Sequence, residues 1–250
     1  MNTMTRLSVL SLSCLPLFAQ APPATPAPAP APAAAPKEQP AQPKVLQLGQ
    51  RASGDITLLD IDGKPQRAKD LMGKVTVVNF YSIQCPVQAG WDQRLAAIQK
   101  DFEAQGVVFL HIDSNESEIG REPQQAAEGQ PKPYDNVRAH LAKKGLPFHV
   151  FVDHGNKVAD LFGAETTPHV YVFGNDGRLV YRGLVDDDQR DKNADGRKNY
   201  LRDTLASLLK GDKVEPFATT AVGCSIKRVE SADAAPRRRP RGDAGGRDGK

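Results

Sequence analysis

The chain of 250 residues carries 33 Lys or Arg against 30 Asp or Glu, a net charge of +3. The positive excess lies at the C-terminal end, because PRRRPRGDAGGRDGK (236–250) alone has six basic and two acidic residues. The remainder is close to neutral, which argues against a basic nucleic-acid-binding fold. No nucleic-acid partner is therefore expected.

Residues 1–21 have the pattern of a secretory signal peptide. Arg6 supplies the positive charge, LSVLSLSCLPLFA (7–19) the apolar segment, and AQA (19–21) a small-x-small cleavage pattern. The apolar run is too short and too interrupted to span a membrane, so no span is expected after signal removal. A lipoprotein acylated at Cys14 is the alternative. The signal predicts a periplasmic or secreted protein.

Two segments flank the predicted globular part. Residues 22–43 are nearly all Pro and Ala, which is typical of an extended linker. Residues 231–250 form a basic tail with little to bury, which predicts disorder. Between them, residues 44–230 are long enough for one domain with a substantial core.

Strands and helices alternate along this domain. Apolar, β-branched runs predict strands at 56–64, 74–82, 106–113 and 147–153. One-sided apolar spacing predicts helices at 86–106, 135–144, 156–162 and 199–210, and the polar, Pro/Gly-rich segment 114–134 is predicted to be a loop. Two apolar runs around Asn175-Asp176-Gly177 predict a hairpin over 169–183. This order predicts an α/β protein with a mixed central sheet and helices on both faces.

Two cysteines remain after signal removal, Cys85 and Cys224. Cys85 follows a buried strand and precedes Pro86, so it lies at the N-cap of the predicted helix. Unpaired backbone N–H groups there favour the thiolate, which is the nucleophilic form. A buried, inert cysteine is the alternative interpretation. Gln88 stands three residues on, so a sulfenic acid on Cys85 would find its internal thiol partner in Cys224.

Three pieces of the sequence resemble the thioredoxin fold: VVNFYSIQCP, Thr167-Pro168 before HVYVF, and the hairpin followed by an amphipathic helix. The likeness covers roughly residues 48–211 and is to redoxins. These include peroxiredoxins of the alkyl hydroperoxide reductase / thiol-specific antioxidant type and exported thioredoxin-like reductases. It implies a thiol-dependent oxidoreductase that acts on a peroxide or a disulfide-bearing protein. It also implies that Pro168 is cis beside the sulfur, and that Ser82 hydrogen-bonds the sulfur or a bound peroxide.

The sequence also departs from these families. Gln88 replaces the second cysteine of a Cys-x-x-Cys motif, Val78 replaces the proline of peroxiredoxins, and Asn79 replaces the buried acid of thioredoxin. Three roles for Cys224 therefore stay open: it resolves Cys85, it forms a static disulfide, or it remains free. A cycling pair would need an external thiol reductant. A redox-inactive binding or scaffold module of the cell envelope is the competing hypothesis.

The sequence predicts no metal site and no cofactor. Asp191, Asn193 and Asp195 have the spacing of a calcium loop, but Arg202 occupies the twelfth position, where a bidentate Glu is required. The histidines show no ligand spacing with the cysteines, and no Gly-rich phosphate loop is present.

Overall fold

The structure is a computed structural model that describes residues 45–52, 56–125, 128–129 and 131–229. The predicted signal peptide, the Pro/Ala-rich linker and the basic tail lie outside these residues. Within these ranges, no helix combines the length and hydropathy that crossing a membrane requires.

The elements are short and follow one another closely along the chain. The strands are β1 (Thr57–Asp60), β2 (Pro65–Arg67), β3 (Val75–Tyr81), β4 (Val107–Asp113), β5 (Val150–Val152), β6 (Thr166–Thr167), β7 (His169–Phe173), β8 (Leu179–Gly183), β9 (Phe217–Ala218) and β10 (Cys224–Ser225). The helices are α1 (Ala68–Leu71), α2 (Pro86–Ala89), α3 (Asp92–Glu103), α4 (Glu116–Ile119), α5 (Asp135–Lys144), α6 (Lys157–Phe162) and α7 (Tyr200–Lys210), with a 3-10 turn at His154–Asn156.

A mixed sheet organises the domain, with the strand order β2-β1-β5-β4-β3-β7-β8-β9. β3 runs parallel to β4, and β4 runs parallel to β5. On its other side β3 pairs with β7, which forms the predicted antiparallel hairpin with β8. Every residue of β3 is buried, as the continuous apolar run predicts for a strand covered on both faces.

Side chains of β3 alternate between two apolar clusters, one on each face of the sheet. Val77 and Tyr81 join the cluster that includes residues of α3, α5 and α7. Val78 and Phe80 join the opposite cluster, which is covered by α6. This arrangement confirms the predicted mixed sheet with helices on both faces, and it is the thioredoxin fold.

The prediction of one continuous helix over 86–106 was wrong. The helix is interrupted after α2, and the Trp91 N–H bonds the carbonyl three residues back at 2.9 Å, which tightens the turn before α3. Gly90 at this turn lets the loop at Gln189 pack closely, because a Cβ there would lie 2.7 Å from the Gln189 carbonyl oxygen. The segment predicted as a loop, 114–134, also contains the short helix α4.

After α7 the chain returns across the edge of the sheet. β9 pairs in parallel with β8, and β10 pairs antiparallel with β6. Ile226, two residues past Cys224, is buried in the cluster beneath α6. We call residues 217–229 the C-terminal strap. The strap brings Cys224 to the loop that precedes Pro168.

Candidate redox site

The Cys85 thiol lies where β3 ends and α2 begins. Its backbone is extended, and Pro86 takes the first helical position, where no N–H is needed. The Cys85 sulfur accepts a hydrogen bond from the Gln88 N–H at 3.3 Å. Its thiol donates to the Thr167 carbonyl at 3.0 Å, and the residue is 4% exposed. The N-cap position predicted for Cys85 is confirmed.

The Thr167–Pro168 peptide is cis, as the resemblance implied. Pro168 therefore follows directly on the carbonyl that receives the Cys85 thiol. His169 comes next, at the start of β7, and contacts the Tyr171 hydroxyl through Nδ1 at 3.2 Å. Burial, with the positive charge of Arg182, lowers the pKa of His169 to about 4, so the imidazole is neutral at physiological pH.

Cys224 meets Cys85 in the structure. Strand pairing sets Cys224 opposite Thr167, the residue whose carbonyl accepts the Cys85 thiol. The two thiols are close enough for Cys85 to raise the pKa of the Cys224 thiol. Both cysteines are free thiols, Cys85 buried and Cys224 partly exposed. The fold thus brings the two thiols together at Thr167 although they are far apart in sequence.

Burial and the neighbouring Cys85 thiol raise the pKa of the Cys224 thiol, while the Val87 N–H and the positive charge of Lys227 act in the opposite direction. Burial and Cys85 outweigh these two opposing effects. Arg228, the next residue along the strap, binds Asp160 and the Ala164 carbonyl.

Gly223 lets the C-terminal strap approach this closely. A Cβ on Gly223 would lie 2.6 Å from the Thr167 carbonyl carbon and closer still to the oxygen. Those atoms belong to the backbone and cannot rotate away. Cys224 therefore reaches Cys85 only because the residue before it has no side chain.

Ser82 contacts a carboxylate. Its hydroxyl donates to Glu118 Oε1 at 2.5 Å and accepts from the Gln84 N–H at 3.2 Å. Glu118 Oε2 also accepts the Ile83 N–H at 2.7 Å. Glu118, which is 5% exposed, therefore holds the turn that leads into Cys85. A role for Ser82 toward the sulfur or a peroxide stays a prediction.

The segment around α4 joins this turn to the C-terminal strap. Asn115 Nδ2 donates to the Tyr81 carbonyl at 3.1 Å and to Asp113 Oδ1 at 3.0 Å. Its Oδ1 accepts the Lys227 N–H at 3.0 Å. Burial, together with the nearby Glu118 carboxylate, raises the pKa of Asp113 well above its ordinary value. Glu118 and Asn115 are functional candidates that the sequence interpretation missed, because they lie in a segment predicted to be a loop.

Gln88, at the position of the missing second cysteine, has a fully buried side chain. Its Nε2 donates to Asp92 Oδ1 at 2.9 Å, and burial raises the pKa of Asp92. The Gln88 backbone N–H thus donates to the Cys85 sulfur, while its side chain donates to Asp92 in α3.

Asn79, at the place of thioredoxin's buried acid, pairs with an imidazole. Its Nδ2 lies 3.2 Å from His111 Nδ1, and His111 Nε2 lies 2.9 Å from Gln99 Oε1. Complete burial lowers the pKa of His111 to about 3, so this imidazole is neutral. The contacts fit a tautomer that accepts from Asn79 and donates to Gln99.

Among the residues that the structure describes, no three His, Cys, Asp or Glu side chains are grouped to hold a metal ion. Near the calcium-like spacing, Asp188 accepts the N–H groups of Lys192 and Asn193 and binds Arg197 at 3.0 Å. That carboxylate therefore already has protein partners.

The fold and site define a thioredoxin-fold protein whose thiol, at a helix N-terminus, faces the carbonyl before a cis-proline. The sequence model of the AhpC/TSA family matches residues 48–182. The chain belongs to the AhpC/TSA family.

Several other proteins are similar to this chain. The thiol-disulfide oxidoreductase ResA of Bacillus thuringiensis is 24% identical over 140 residues, which cover 56% of this chain and 71% of ResA. An uncharacterized conserved protein from Geobacillus kaustophilus has a crystal structure with 30% identity and a TM-score of 0.63, covering 75% of this chain and 95% of that one. A hypothetical protein from Sinorhizobium meliloti 1021 has 26% identity and a TM-score of 0.60, covering 75% and 98%.

Proposed function

We propose that this protein is an exported thiol–disulfide oxidoreductase that cycles between a Cys85/Cys224 dithiol and an intramolecular disulfide. The position of Cys224, paired opposite the Thr167 whose carbonyl accepts the Cys85 thiol, carries the proposal. It supplies the internal partner thiol that Gln88 cannot supply.

The surroundings of the two sulfurs support this chemistry. The Cys85 sulfur accepts the Gln88 backbone N–H, and the nearby Val87 N–H acts to lower the pKa of the Cys224 thiol. Such donors stabilise thiolate, the form that attacks a disulfide. In one turnover the two protein thiols give two electrons and two protons to an external disulfide. An intramolecular S–S bond forms and two external thiols are released. An external thiol reductant then reverses the protein's oxidation.

A static, purely structural disulfide is less well supported. The C-terminal strap is held by contacts that do not involve sulfur: the Ile226 N–H bonds the Glu165 carbonyl at 2.9 Å, and the Val229 N–H bonds Asn156 Oδ1 at 2.8 Å. Since these contacts are made while both cysteines are free, a disulfide is not required to dock the strap.

Peroxide reduction is the second candidate function, and membership of the AhpC/TSA family favours it. A Cys85 thiolate would attack the O–O bond, leaving a sulfenic acid and releasing water or an alcohol after protonation. The Cys224 thiol would then condense with the sulfenic acid and release water. The same disulfide results, so the two candidates share a product and differ in the oxidant and in the intermediate that precedes the disulfide.

The test begins with reduced protein and one equivalent of either glutathione disulfide or hydrogen peroxide. Alkylation and peptide mass spectrometry then report the state of each cysteine. We expect a Cys85–Cys224 linked peptide with glutathione disulfide, reversed by dithiothreitol. In Cys224→Ser, peroxide reduction would leave a trappable sulfenic acid on Cys85. Thiols that persist with both oxidants would contradict the proposal and favour the binding or scaffold module.

Export is the remaining part of the proposal, supported by the charged and apolar pattern of residues 1–21. Cell fractionation of the full chain, with N-terminal sequencing of the product, tests it. A periplasmic or secreted product that begins near residue 20 or 22 is expected. A cytoplasmic product that retains Met1 would refute export and leave the thiol chemistry untouched.

A further inference from the structure

We propose that Cys224 is the thiol that exchanges with external disulfides, and that Cys85 is the inner thiol that resolves the mixed disulfide. This inference rests on the proposed dithiol cycle. The sequence analysis suggests the opposite roles, with Cys85 as the nucleophile and Cys224 as the resolving thiol.

The two sulfurs differ in their access to solvent. Cys85 is 4% exposed, and its thiol faces the Thr167 carbonyl, beside which the C-terminal strap pairs. Cys224 is partly exposed, and its neighbours Ser225 and Val222 face solvent, with Val222 57% exposed. Thiol–disulfide exchange requires the attacking sulfur to reach the sulfur that it attacks. A partner arriving from solvent therefore meets Cys224 first.

The backbone around Cys85 also favours Cys85 as the leaving group. When an external thiolate attacks the Cys224 sulfur of the protein disulfide, the S–S bond breaks and Cys85 leaves as a thiolate. The Gln88 N–H is already directed at the Cys85 sulfur, at 3.3 Å. A stabilised leaving group departs faster. The geometry therefore favours attack on the Cys224 sulfur, which is also the more accessible of the two.

The opposite half-reaction uses the same order. The Cys224 thiolate attacks an external disulfide, forming a mixed disulfide and releasing one external thiolate. The Cys85 thiolate then attacks the Cys224 sulfur, forming the protein disulfide and releasing the second external thiolate. Strand pairing already holds Cys224 beside Thr167, whose carbonyl contacts the Cys85 thiol, so the second attack needs no large movement. The external disulfide gains the two electrons that the protein loses.

The strap also closes the backbone edge beside Pro168. Cys224 and Ser225 pair with Thr167 and Thr166, so the main chain before the cis-proline already has a strand partner. An external chain cannot pair there while the strap is docked. The disulfides that fit this site are therefore small molecules, or protein disulfides exposed at a surface.

The decisive experiment uses the unmodified sequence. Oxidised protein is mixed with limiting glutathione, quenched with acid within milliseconds to seconds, alkylated, and mapped by peptide mass spectrometry. We expect glutathione on Cys224 with a free Cys85, in at least tenfold excess over the reverse pattern. Glutathione mainly on Cys85 would overturn the inference and leave the dithiol cycle intact. Failure to form the Cys85–Cys224 disulfide in the first place would overturn both.

Single-cysteine variants give an independent measurement. Reduced Cys85→Ser and Cys224→Ser proteins are each treated with glutathione disulfide, and the rate of mixed-disulfide formation is compared. We expect Cys85→Ser, which retains Cys224, to react at least tenfold faster. Protease digestion of both variants shows whether the strap is still docked. Equal rates with a docked strap in both variants would refute the assigned roles.

Discussion

Replacing Gly223 with alanine tests whether the docking of the C-terminal strap sets the redox properties of the pair. The added Cβ would lie 2.6 Å from the Thr167 carbonyl carbon, whereas ordinary contacts begin at 3.4 Å. The strap must therefore retreat by at least about 0.8 Å at this point. Since both obstructing atoms are backbone, no side-chain rotation relieves the contact.

The expected magnitude follows from what that movement breaks. A disulfide needs sulfurs about 2.05 Å apart in a narrow geometry. Loss of one strap hydrogen bond, such as that from the Ile226 N–H to the Glu165 carbonyl, costs about 1 kcal/mol. Movement of Cys224 away from Cys85 adds to this cost. We therefore expect the equilibrium constant for the intramolecular disulfide to fall at least tenfold. That change corresponds to about 30 mV for a two-electron couple.

The assay is equilibration of Gly223→Ala with glutathione buffers, followed by quantification of the Cys85–Cys224 disulfide. Val222→Ala is the matched control, because Val222 is the neighbouring residue and is 57% exposed. We expect the control to match the unmodified protein. An equilibrium constant for Gly223→Ala within twofold of the control would refute the reasoning, since the strap would then not position Cys224.

Three further predictions concern stability and pH. Glu118→Gln weakens the charged hydrogen bonds that hold the turn before Cys85, so we expect a loss of about 2 to 3 kcal/mol and a Tm lower by roughly 5 to 10 °C. Glu116→Gln, which removes only an exposed ion pair, should change stability by less than about 1 kcal/mol, and equal Tm values for the two variants would contradict the assignment. Because burial and the neighbouring Cys85 thiol raise the pKa of Cys224, the rate of its alkylation should keep increasing up to a higher pH than for an isolated thiol. Cys85→Ser should lower that midpoint, and an unchanged midpoint in pH-dependent iodoacetamide labelling would count against the contact. Burial lowers the pKa of His111 from 6.5 to about 3. Between these two pH values His111 binds a proton in the unfolded chain but stays neutral in the folded protein. The free energy of unfolding should therefore fall with decreasing pH, by about 1.4 kcal/mol per unit from this group, and urea unfolding should show a shallower fall in His111→Gln.

The sequence predicts the elements that a strong local pattern specifies. The apolar run over 74–82 predicts β3, and the turn at Asn175-Asp176-Gly177 predicts the hairpin of β7 and β8, both of which are observed. The break in the helix after α2 was not predictable. The loop at Gln189 packs against Gly90 at this turn, and a local sequence pattern does not reveal a contact between residues so far apart in the chain.

The site was only partly predictable for the same reason. The position of Cys85 follows from a strand end and Pro86, which are local signals. The contact with Cys224 depends on β10, a strand of two residues without detectable periodicity. Glu118 belongs to a helix of four residues within a polar segment. Its role comes from hydrogen bonds to residues more than 30 positions earlier, which composition and spacing cannot reveal.

The long separation of the two thiols links the redox state to resistance against unfolding. Cys85 and Cys224 are 139 positions apart, so their disulfide would close most of the folded domain into one covalent loop. Chain-entropy estimates for a loop of this length give about 5 kcal/mol of stabilisation from the restricted unfolded state. The disulfide of a Cys-x-x-Cys motif closes a far smaller loop and restricts the unfolded chain much less. Under the proposed dithiol cycle, each reduction would therefore remove this stabilisation, and each oxidation would make the chain harder to unfold and digest.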